Sequence, residues 1–296
     1  MRRADLGDAD CGIAQALGVL ADWWTFLIVR EVAGGTTRFD ALQRELGVSR
    51  RALTERLGGL VEHGVLVRRP YSTRPPRHDY LLTAKGEGLL PVLVALQDWG
   101  TRHVMGDGAL TATAAADSAE ARRVHRLVGR RVPELTLARH DGGTESPVVP
   151  GRWTVLYLFP GAFAPGAQGV PPGWGEIPGA VGCTLESRTY ADRHEHFRAA
   201  GAEVRGVSTQ RPDQLRAFAA HARLPYPLLS DQDGRLAAGL LLPTFRAGGV
   251  DRLKRLTMLV DPEAVVRMVQ FPVTDPGGSV DEMLDEVRRR TADSTT

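Results

Sequence analysis

Apolar residues recur at helical spacing through the first part of the chain. Residues 13–32 are broadly apolar, and residues 39–46 and 53–60 place apolar side chains three to four positions apart. This spacing predicts amphipathic helices. Ser49 is a suitable N-cap for the last of them, and Gly64 can end that helix in the left-handed conformation. The pattern therefore predicts two helices joined by a tight turn.

Two short apolar stretches follow these helices. Residues 65–69 and 79–82 are predicted strands, and residues 70–77 between them form a basic loop stiffened by prolines. A further helix is predicted over residues 87–104, with an apolar stripe wide enough for a core or for a partner chain. The stripe consists of Leu89, Leu90, Leu93, Leu96 and Trp99. The strands and their loop predict a β wing beside the helices.

The pattern changes after residue 106. Residues 106–122 are rich in Ala, Thr, Gly and Ser, which predicts a linker or an extension of the preceding helix. Beyond them strands alternate with helices, as in a mostly parallel α/β sheet. The predicted strands are 154–159, 203–208, 256–260 and 265–271, and the predicted helices are 184–200, 212–222 and 280–290.

The length of 296 residues indicates more than one domain, because single cores rarely grow past about 250 residues. We expect a helical domain with a β wing over residues 1–106, a linker or helix extension over 107–124, and an α/β domain over 125–296. The fold class is therefore multidomain, an α domain with a β wing followed by an α/β domain.

The net charge of the chain does not indicate a general affinity for nucleic acid. Lys and Arg number 37 against 35 Asp and Glu, so any basic surface must be local. The start of the chain lacks the apolar core of a signal peptide, and no apolar run approaches the roughly 18 residues of a spanning helix. We expect a cytoplasmic protein with no membrane partner. Its two cysteines, Cys11 and Cys183, should then be free or transiently oxidised rather than joined in a structural disulfide.

Positive charge is concentrated between residues 38 and 78, where nine arginines stand against four acids. Arginines and hydroxyl groups on the first turn of a recognition helix suit base edges and phosphates, and a basic wing suits the flanking backbone. For any one of these arginines, a solvated helix face is a better explanation than DNA binding. Their combination with a helix-turn-helix and a wing favours a DNA-binding surface. The candidate DNA-binding residues are Arg38, Ser49, Arg50, Arg51, Thr54, Arg56, Arg69, Arg74 and Arg77.

Residues 8–105 resemble the HxlR-type winged helix-turn-helix regulators, part of the wider MarR-like group. The segments that carry the resemblance are Cys11–Ile13, Trp24–Glu31, Arg38–Leu42, Ser49–Leu57, Pro75–Tyr80 and Leu82–Gly86. The resemblance implies a homodimer, built through the terminal helices, on a palindromic DNA operator. In several members a cysteine at the position of Cys11 senses electrophiles or oxidants. Cys11 is therefore a candidate sensor, with packing in the dimer interface as an equal alternative.

Cys183 stands immediately before the predicted helix 184–200. The N-terminus of a helix and a nearby cation lower the pKa of a thiol and make its thiolate reactive. We expect such a lowered pKa for Cys183, and Glu186 could help to cap the start of the same helix.

Residues 127–290 resemble peroxiredoxins. The matching segments are Trp153–Gly161, Gly182–Ser187, Val204–Ser208, Pro225–Asp231 and Lys254–Asp261. The resemblance implies a thioredoxin-like fold in which Cys183 attacks a peroxide oxygen and Arg255 steadies the thiolate and the peroxide. Thr184, beside the cysteine, is the third candidate catalytic residue. No cofactor is implied.

The sequence departs from this family at the loop before the cysteine. Ala164 stands where a hydroxyl residue is common, Ala167 stands where the cysteine would be, and residues 168–182 form an insertion. Some peroxiredoxin-like proteins place their cysteine after such an insertion, which favours Cys183 as the working thiol. The alternative is a degenerate scaffold without catalysis. Within the insertion, Trp174 is either a lid over the thiol or, as we prefer, an ordinary packed residue.

Arg188 occupies the position at which one peroxiredoxin subgroup carries its resolving cysteine. A sulfenic acid at Cys183 would then need an outside thiol, Cys11, or a thiol of another subunit. Slow resolution suits a sensor better than a scavenger. His194 and His196 are two positions apart on a predicted helix, so they cannot easily share a metal. We expect both at the surface and predict no metal site.

These features predict a redox-responsive, DNA-binding transcription regulator that senses peroxide or another electrophile through Cys183 or Cys11. Two alternatives stay open. One is a thiol-dependent peroxidase with an appended DNA-binding domain, and the other is a regulator whose peroxiredoxin-like domain is inert and serves dimerisation or ligand binding.

Overall fold

The computed structural model describes residues 10–20 and 22–293 of the chain. The chain divides into two compact units, Met1–Leu93 and Val94–Thr296, which we call the N-terminal and C-terminal units. The predicted fold class is confirmed, because a helical unit with a two-stranded wing precedes a unit with a mixed, thioredoxin-like sheet.

Helices and one β ribbon build the N-terminal unit. In chain order they are α1 (Gly12–Leu20), α2 (Trp23–Ala33), α3 (Phe39–Leu46), α4 (Arg50–Glu62), β1 (Leu66–Thr73), β2 (Pro76–Leu82), α5 (Ala84–Glu87) and the first turn of α6 (Leu90–His103), whose residues from Val94 onward belong to the C-terminal unit. Fully buried apolar side chains from α2, α3 and α4, among them Ile28, Leu42 and Leu57, form its core. The turn between α3 and α4 places Gly47 at φ 64°, a conformation that glycine adopts without strain.

Two boundaries in the N-terminal unit differ from the prediction. The wing strands are longer than expected, and only Arg74 and Pro75 remain between them. Prolines are tolerated here because the ribbon has two strands, so each has an outer edge that needs no N–H donor. The helix predicted over 87–104 is broken at Gly88, which separates α5 from α6.

The C-terminal unit contains a seven-stranded sheet. Its elements are α7 (Ala119–His125), β3 (Leu137–Arg139), β4 (Thr144–Glu145), β5 (Trp153–Leu158), α8 (Cys183–Asp192), α9 (His194–Ala199), β6 (Ala202–Ser208), α10 (Pro212–Ala222), β7 (Leu228–Ser230), α11 (Arg235–Leu240), β8 (Thr244–Ala247), β9 (Val250–Leu253), β10 (Leu256–Val260), β11 (Val266–Gln270) and α12 (Gly278–Asp293). The sheet order is β11-β10-β5-β6-β7-β3-β4, and β8 and β9 form a separate hairpin.

The prediction of a mostly parallel sheet is wrong. β5, β6 and β7 are parallel, whereas β10, β11, β3 and β4 join by antiparallel pairing. The short connections within β3–β4 and β10–β11 explain this, because a tight turn can only join antiparallel strands. One core joins the sheet to α8, α9, α10 and α12 through buried aromatic side chains such as Tyr157, Phe197 and Phe218.

The single helix predicted over 184–200 is also wrong, because the chain forms α8 and α9 with a break at Arg193. Arg193 has φ −96° and ψ 1°, in the bridge region outside regular helix. Its guanidinium donates to Asp281 on α12 over 2.8 Å.

Residues 107–124, for which the sequence suggested a linker or a helix extension, are packed into the C-terminal unit. The Ala112 N–H donates to Pro178 O over 2.8 Å, and Lys254 Nζ donates to Thr113 O over 3.0 Å. Lys254 also forms a buried ion pair of 2.7 Å with Glu120 on α7.

No single helix in the described part of the chain is long and apolar enough to cross a membrane; α1 and α2, bent by 75°, pass that test only as a pair, by length and composition alone.

Candidate functional site

Cys183 is the first residue of α8 and is 3 % exposed. The residue before it, Gly182, has φ 101°, which disfavours any residue with a side chain. A Cβ atom at Gly182 would also lie 2.8 Å from Pro276 Cγ. The local chain path therefore requires glycine in order to present the cysteine at the start of the helix.

Arg255 stands immediately before β10, the strand that pairs with β5, and its side chain reaches this thiol. Its Nη2 donates to Val181 O over 2.8 Å and lies 3.3 Å from Cys183 Sγ. Its Nη1 donates to the carboxylate of Glu186. The structure thus brings together two of the predicted site residues, Cys183 and Arg255, and Thr184 follows them half-buried in the first turn of α8.

Glu186 does not cap α8, contrary to the sequence-based expectation. Its side chain is fully buried and pairs with Arg255, whose side chain is 2 % exposed. Burial raises the pKa of Glu186 to about 7, although Arg255 favours the charged form. Arg255 therefore contacts both the thiol of Cys183 and the carboxyl group of Glu186.

The pKa of Cys183 is raised, so the expected lowering is wrong. Burial is the largest cause, and the charge of Glu186 acts in the same direction. Arg255 and a hydrogen bond from the Gly161 N–H lower it, but by less. Removing a thiolate from water outweighs the helix start and the single cation.

Two sets of polar contacts hold the elements around the thiol. The side chain of Gln210 clamps Ala162 in the loop before the insertion, with 2.8 Å from Ala162 N to Oε1 and 2.9 Å from Nε2 to Ala162 O. The Tyr157 hydroxyl contacts Ser187 Oγ over 3.1 Å, and the Tyr226 hydroxyl donates to Ser187 O over 2.6 Å. The loop and α8 are thereby fixed to the sheet.

Trp174 is a packed residue of the insertion. Its ring meets Phe163 edge to face at 5.6 Å and stacks on Phe245 at 6.2 Å. Next to these rings lies Arg252 on β9, which the sequence analysis missed. Arg252 is 4 % exposed, and its guanidinium carbon lies 5.1 Å from the Trp174 ring centroid. Its position three residues before Arg255 is the one signal that the sequence offered.

His194 is not at the surface as expected. Its side chain is 12 % exposed, and its ring lies 5.7 Å from that of Tyr226. Burial lowers its pKa. His196 is exposed, as the sequence predicts.

The first turn of α4 presents most of its candidate DNA-binding residues to solvent. Ser49 caps the helix, with 3.2 Å from Ala52 N to Ser49 Oγ. Arg50, Arg51 and Thr54 are exposed. Arg50 pairs with Asp40 on α3 over 3.4 Å.

Arg56 differs from these residues because its guanidinium is held within the unit. It donates to both carboxylate oxygens of Asp22, over 2.6 Å and 3.3 Å. Asp22 also caps α2, with 3.1 Å from Thr25 N to Asp22 Oδ1. Arg56 therefore ties α4 to the start of α2, which leaves it fewer donors for a phosphate.

The wing carries exposed arginines. Arg69, Arg74 and Arg77 are exposed on the ribbon or its turn. Arg38, before α3, lies 3.6 Å from Asp79 and over the ring of Tyr71 at 4.6 Å. These contacts hold Arg38 against the wing.

Cys11 is exposed, immediately before α1. Several large apolar side chains nearby in sequence are exposed as well, including Ile13, Leu17 and Trp23. On α6, Leu90 is buried whereas Leu96 and Trp99 are 53 % and 58 % exposed. Only part of the predicted apolar stripe is therefore buried.

Two family models match the chain. The HxlR-like helix-turn-helix family matches residues 19–107, and the AhpC/TSA family matches residues 178–269. An uncharacterized HTH-type transcriptional regulator of Mycobacterium tuberculosis is 42 % identical over 92 residues, 31 % of this chain and 58 % of that protein. Another, of Methanothermobacter thermautotrophicus, is 33 % identical over 102 residues, 33 % of this chain and 78 % of that protein.

The C-terminal part is similar to different proteins. Chloroplastic peroxiredoxin Q of Populus jackii is 31 % identical over 157 residues, 53 % of this chain and 65 % of that protein. The crystal structure of peroxidoxin BcpB from Mycobacterium tuberculosis matches with a TM-score of 0.46 and 26 % identity over 55 % of this chain and 96 % of that chain. The chain thus spans less than two thirds of the Mycobacterium regulator and of the Populus peroxiredoxin. By the two family models the chain carries an HxlR-like helix-turn-helix domain at its N-terminal end and a peroxiredoxin-like domain of the AhpC/TSA family at its C-terminal end.

Proposed function

We propose that this protein is a DNA-binding transcription regulator in which oxidation of Cys183 by a peroxide changes operator binding. The observation that carries the proposal is the contact of 3.3 Å between Arg255 Nη2 and Cys183 Sγ at the buried start of α8. A guanidinium at this distance stabilises the thiolate and the negative charge that develops on a departing peroxide oxygen. The similarity to peroxiredoxin Q supports the same assignment.

The proposed reaction needs only the thiol and the peroxide. The Cys183 thiolate attacks one peroxide oxygen, a sulfur–oxygen bond forms, and the oxygen–oxygen bond breaks. Sulfur is oxidised by two electrons to sulfenic acid, and the second oxygen leaves as hydroxide or alkoxide and takes a proton from water. Arg255 holds both the attacking and the leaving atoms, while Thr184 is the next residue after Cys183 on α8.

DNA is the proposed partner of the N-terminal unit. The exposed Arg50, Arg51 and Thr54 at the start of α4 suit the major groove, and the wing arginines suit the flanking phosphates. The exposed apolar side chains of α1 and α6 suit a second copy of the chain. A homodimer of this kind would bind a palindromic operator, and oxidation would act by shifting the balance between operator-competent and operator-incompetent dimers.

A sensor is favoured over a thiol peroxidase by two observations. The raised pKa of Cys183 leaves little thiolate at neutral pH, which slows each oxidation. The chain has only one other cysteine, Cys11, and Arg188 occupies the place of a nearby resolving thiol. A slowly formed and slowly resolved sulfenic acid suits a signal that persists.

We expect a sulfenic acid trap to label Cys183 when the reduced protein meets about one equivalent of hydrogen peroxide. Cys183→Ser should abolish the label and leave operator affinity unchanged by peroxide, whereas Cys11→Ser should keep both responses. Intact and peptide masses give the site, and the DNA probe is a fragment selected from a random library by the reduced protein. If Cys183→Ser responds to peroxide like the wild type, Cys183 is not the sensor. If Cys183 is not modified at all, the C-terminal domain is an inert scaffold.

Arg51→Ala should weaken binding to the same DNA about fivefold and reduce the dependence of log affinity on log salt by about one unit, as for the loss of one phosphate contact. Arg51 is exposed on α4, so the fold should not change. Arg188→Ala, which removes an exposed arginine from the C-terminal unit, is the matched control and should have no effect. An unchanged affinity and salt slope for Arg51→Ala would remove this face of α4 from the DNA interface.

A further inference from the structure

Arg252 is a second buried arginine near the thiol, and it has no carboxylate partner among the described residues. It lies on β9 opposite Phe245 of β8 and is 4 % exposed. Its donors reach only main-chain carbonyls, Ala247 O at 3.3 Å and Pro160 O at 3.4 Å. Burying a cation without an anion costs free energy. Ordinary packing therefore does not explain why an arginine occupies this position.

Two aromatic rings pack against the guanidinium of Arg252. Its carbon lies 5.1 Å from the Trp174 ring centroid and 5.9 Å from that of Phe163. A cation over ring faces at these distances is stabilised by their electron density. Both rings belong to the segment between β5 and Cys183, and Trp174 belongs to the insertion. The insertion therefore shapes the surroundings of Arg252 without supplying it with a negative charge.

One short stretch of main chain connects Arg252 to the thiol. Pro160 O accepts from Arg252, and the next residue, Gly161, directs its N–H to the sulfur of Cys183. A Cβ atom at Gly161 would lie 3.1 Å from Arg252 Nη1, so glycine permits the close approach. Burial lowers the pKa of Arg252, and the charge of Cys183 is the one opposing influence. Arg252 therefore lies within electrostatic reach of Cys183.

We propose that Arg252 makes the Cys183 site selective for anionic oxidants, that is, peroxides with a negatively charged group beside the oxygen–oxygen bond. This inference rests on the proposed function, in which Cys183 is oxidised. Arg255 is already shared between Cys183 and Glu186, so its donors are engaged before an oxidant arrives. Of the two buried arginines described near the thiol, Arg252 is the one that remains to bind the charge that the oxidant brings.

Peroxymonosulfate is a suitable probe because it carries its charge on the leaving group. The thiolate attacks the terminal peroxide oxygen, the sulfur–oxygen bond forms, and the oxygen–oxygen bond breaks. Cys183 gains the hydroxyl group and becomes sulfenic acid, while the electron pair of the broken bond leaves with sulfate. With hydrogen peroxide the same step releases hydroxide, so the two probes differ in charge and leaving group but not in the thiol chemistry.

The test compares the oxidation rates of Cys183 by peroxymonosulfate and by hydrogen peroxide in the full chain, followed by peptide mass. The ratio of the two rates cancels the thiolate fraction, because both oxidants attack the same thiolate. The exposed Cys11 gives the intrinsic ratio for an accessible thiol in the same sample. We expect the ratio at Cys183 to exceed that at Cys11 and to fall about fivefold in Arg252→Gln. Arg252→Lys should retain part of the ratio, since it keeps the charge.

Arg246→Gln is the matched control, because Arg246 is an exposed arginine of the same hairpin, and it should not change the ratio. A ratio at Cys183 equal to that at Cys11 and unchanged in Arg252→Gln overturns the selectivity while leaving Cys183 as the oxidised thiol. Failure of both oxidants to modify wild-type Cys183 overturns the proposed function together with the inference. Circular dichroism and the hydrogen peroxide rate of Arg252→Lys show whether the site remains folded.

Discussion

Arg255→Gln will slow the oxidation of Cys183 by hydrogen peroxide about 100-fold or more, the usual effect of removing one donor that stabilises developing charge. The variant takes away the one cation that contacts the sulfur among the residues that the structure describes, 3.3 Å from it. It also raises the pKa of the thiol further, because the arginine is the main influence that lowers it against burial. The measurement is the rate of sulfenic acid formation at Cys183 under excess peroxide.

The same variant leaves the carboxyl group of Glu186 buried without its partner. Breaking a buried ion pair costs about 3–5 kcal/mol, so the free energy of unfolding has to be measured beside the rate. Arg255→Lys keeps the charge with fewer donors and should recover part of the rate. Arg198→Gln alters an exposed arginine of α9 and should match the wild type. A folded Arg255→Gln that oxidises at the wild-type rate would show that Arg255 serves only as the structural partner of Glu186.

The N-terminal helices could be predicted because their signals are local. The N-cap at Ser49 and the left-handed Gly64 lie within a few residues of the helix they bound, and both are found in the structure. Apolar spacing likewise marks the buried face of α4, with Leu53, Leu57 and Leu60. Where neighbours in sequence determine the outcome, the pattern is sufficient.

The candidate site could be predicted only in part because its contacts join distant residues. Arg255 and Glu186 are 69 positions apart, and nothing in the sequence states that the carboxyl group turns inward to the arginine rather than to the helix end. The resemblance supplied Cys183 and Arg255 but not Arg252, whose aromatic partner Trp174 comes from the insertion. The predicted direction of the Cys183 pKa shift was also wrong. A helix start and a nearby cation are visible in the sequence, whereas the depth of burial is not.

Glu186→Gln will speed the oxidation of Cys183 about tenfold at pH 8, in spite of removing a partner of Arg255. Glu186 has a pKa of about 7, so at pH 8 it is mostly charged, and that charge raises the pKa of Cys183. Glutamine keeps the hydrogen-bonding shape without the charge. Arg255 is then free to stabilise the thiolate alone, the pKa of the thiol falls, and more thiolate is present at any given pH.

The direction of this effect can be tested by measuring the rate of Cys183 oxidation as a function of pH, between about pH 5 and pH 9. In the wild type the rate rises with pH, but less steeply near pH 7, because loss of the Glu186 proton opposes loss of the Cys183 proton and the two groups titrate as a coupled pair. In Glu186→Gln the rate should rise along a single curve with a lower midpoint, and the gain over the wild type should shrink below pH 7, where Glu186 is protonated. Asp192→Asn, at the exposed end of the same helix, should leave the profile unchanged. A rate below the wild type at every pH would mean that the carboxyl group acts chiefly by holding Arg255 in place, and that the charge balance of the site favours the ion pair over the thiolate.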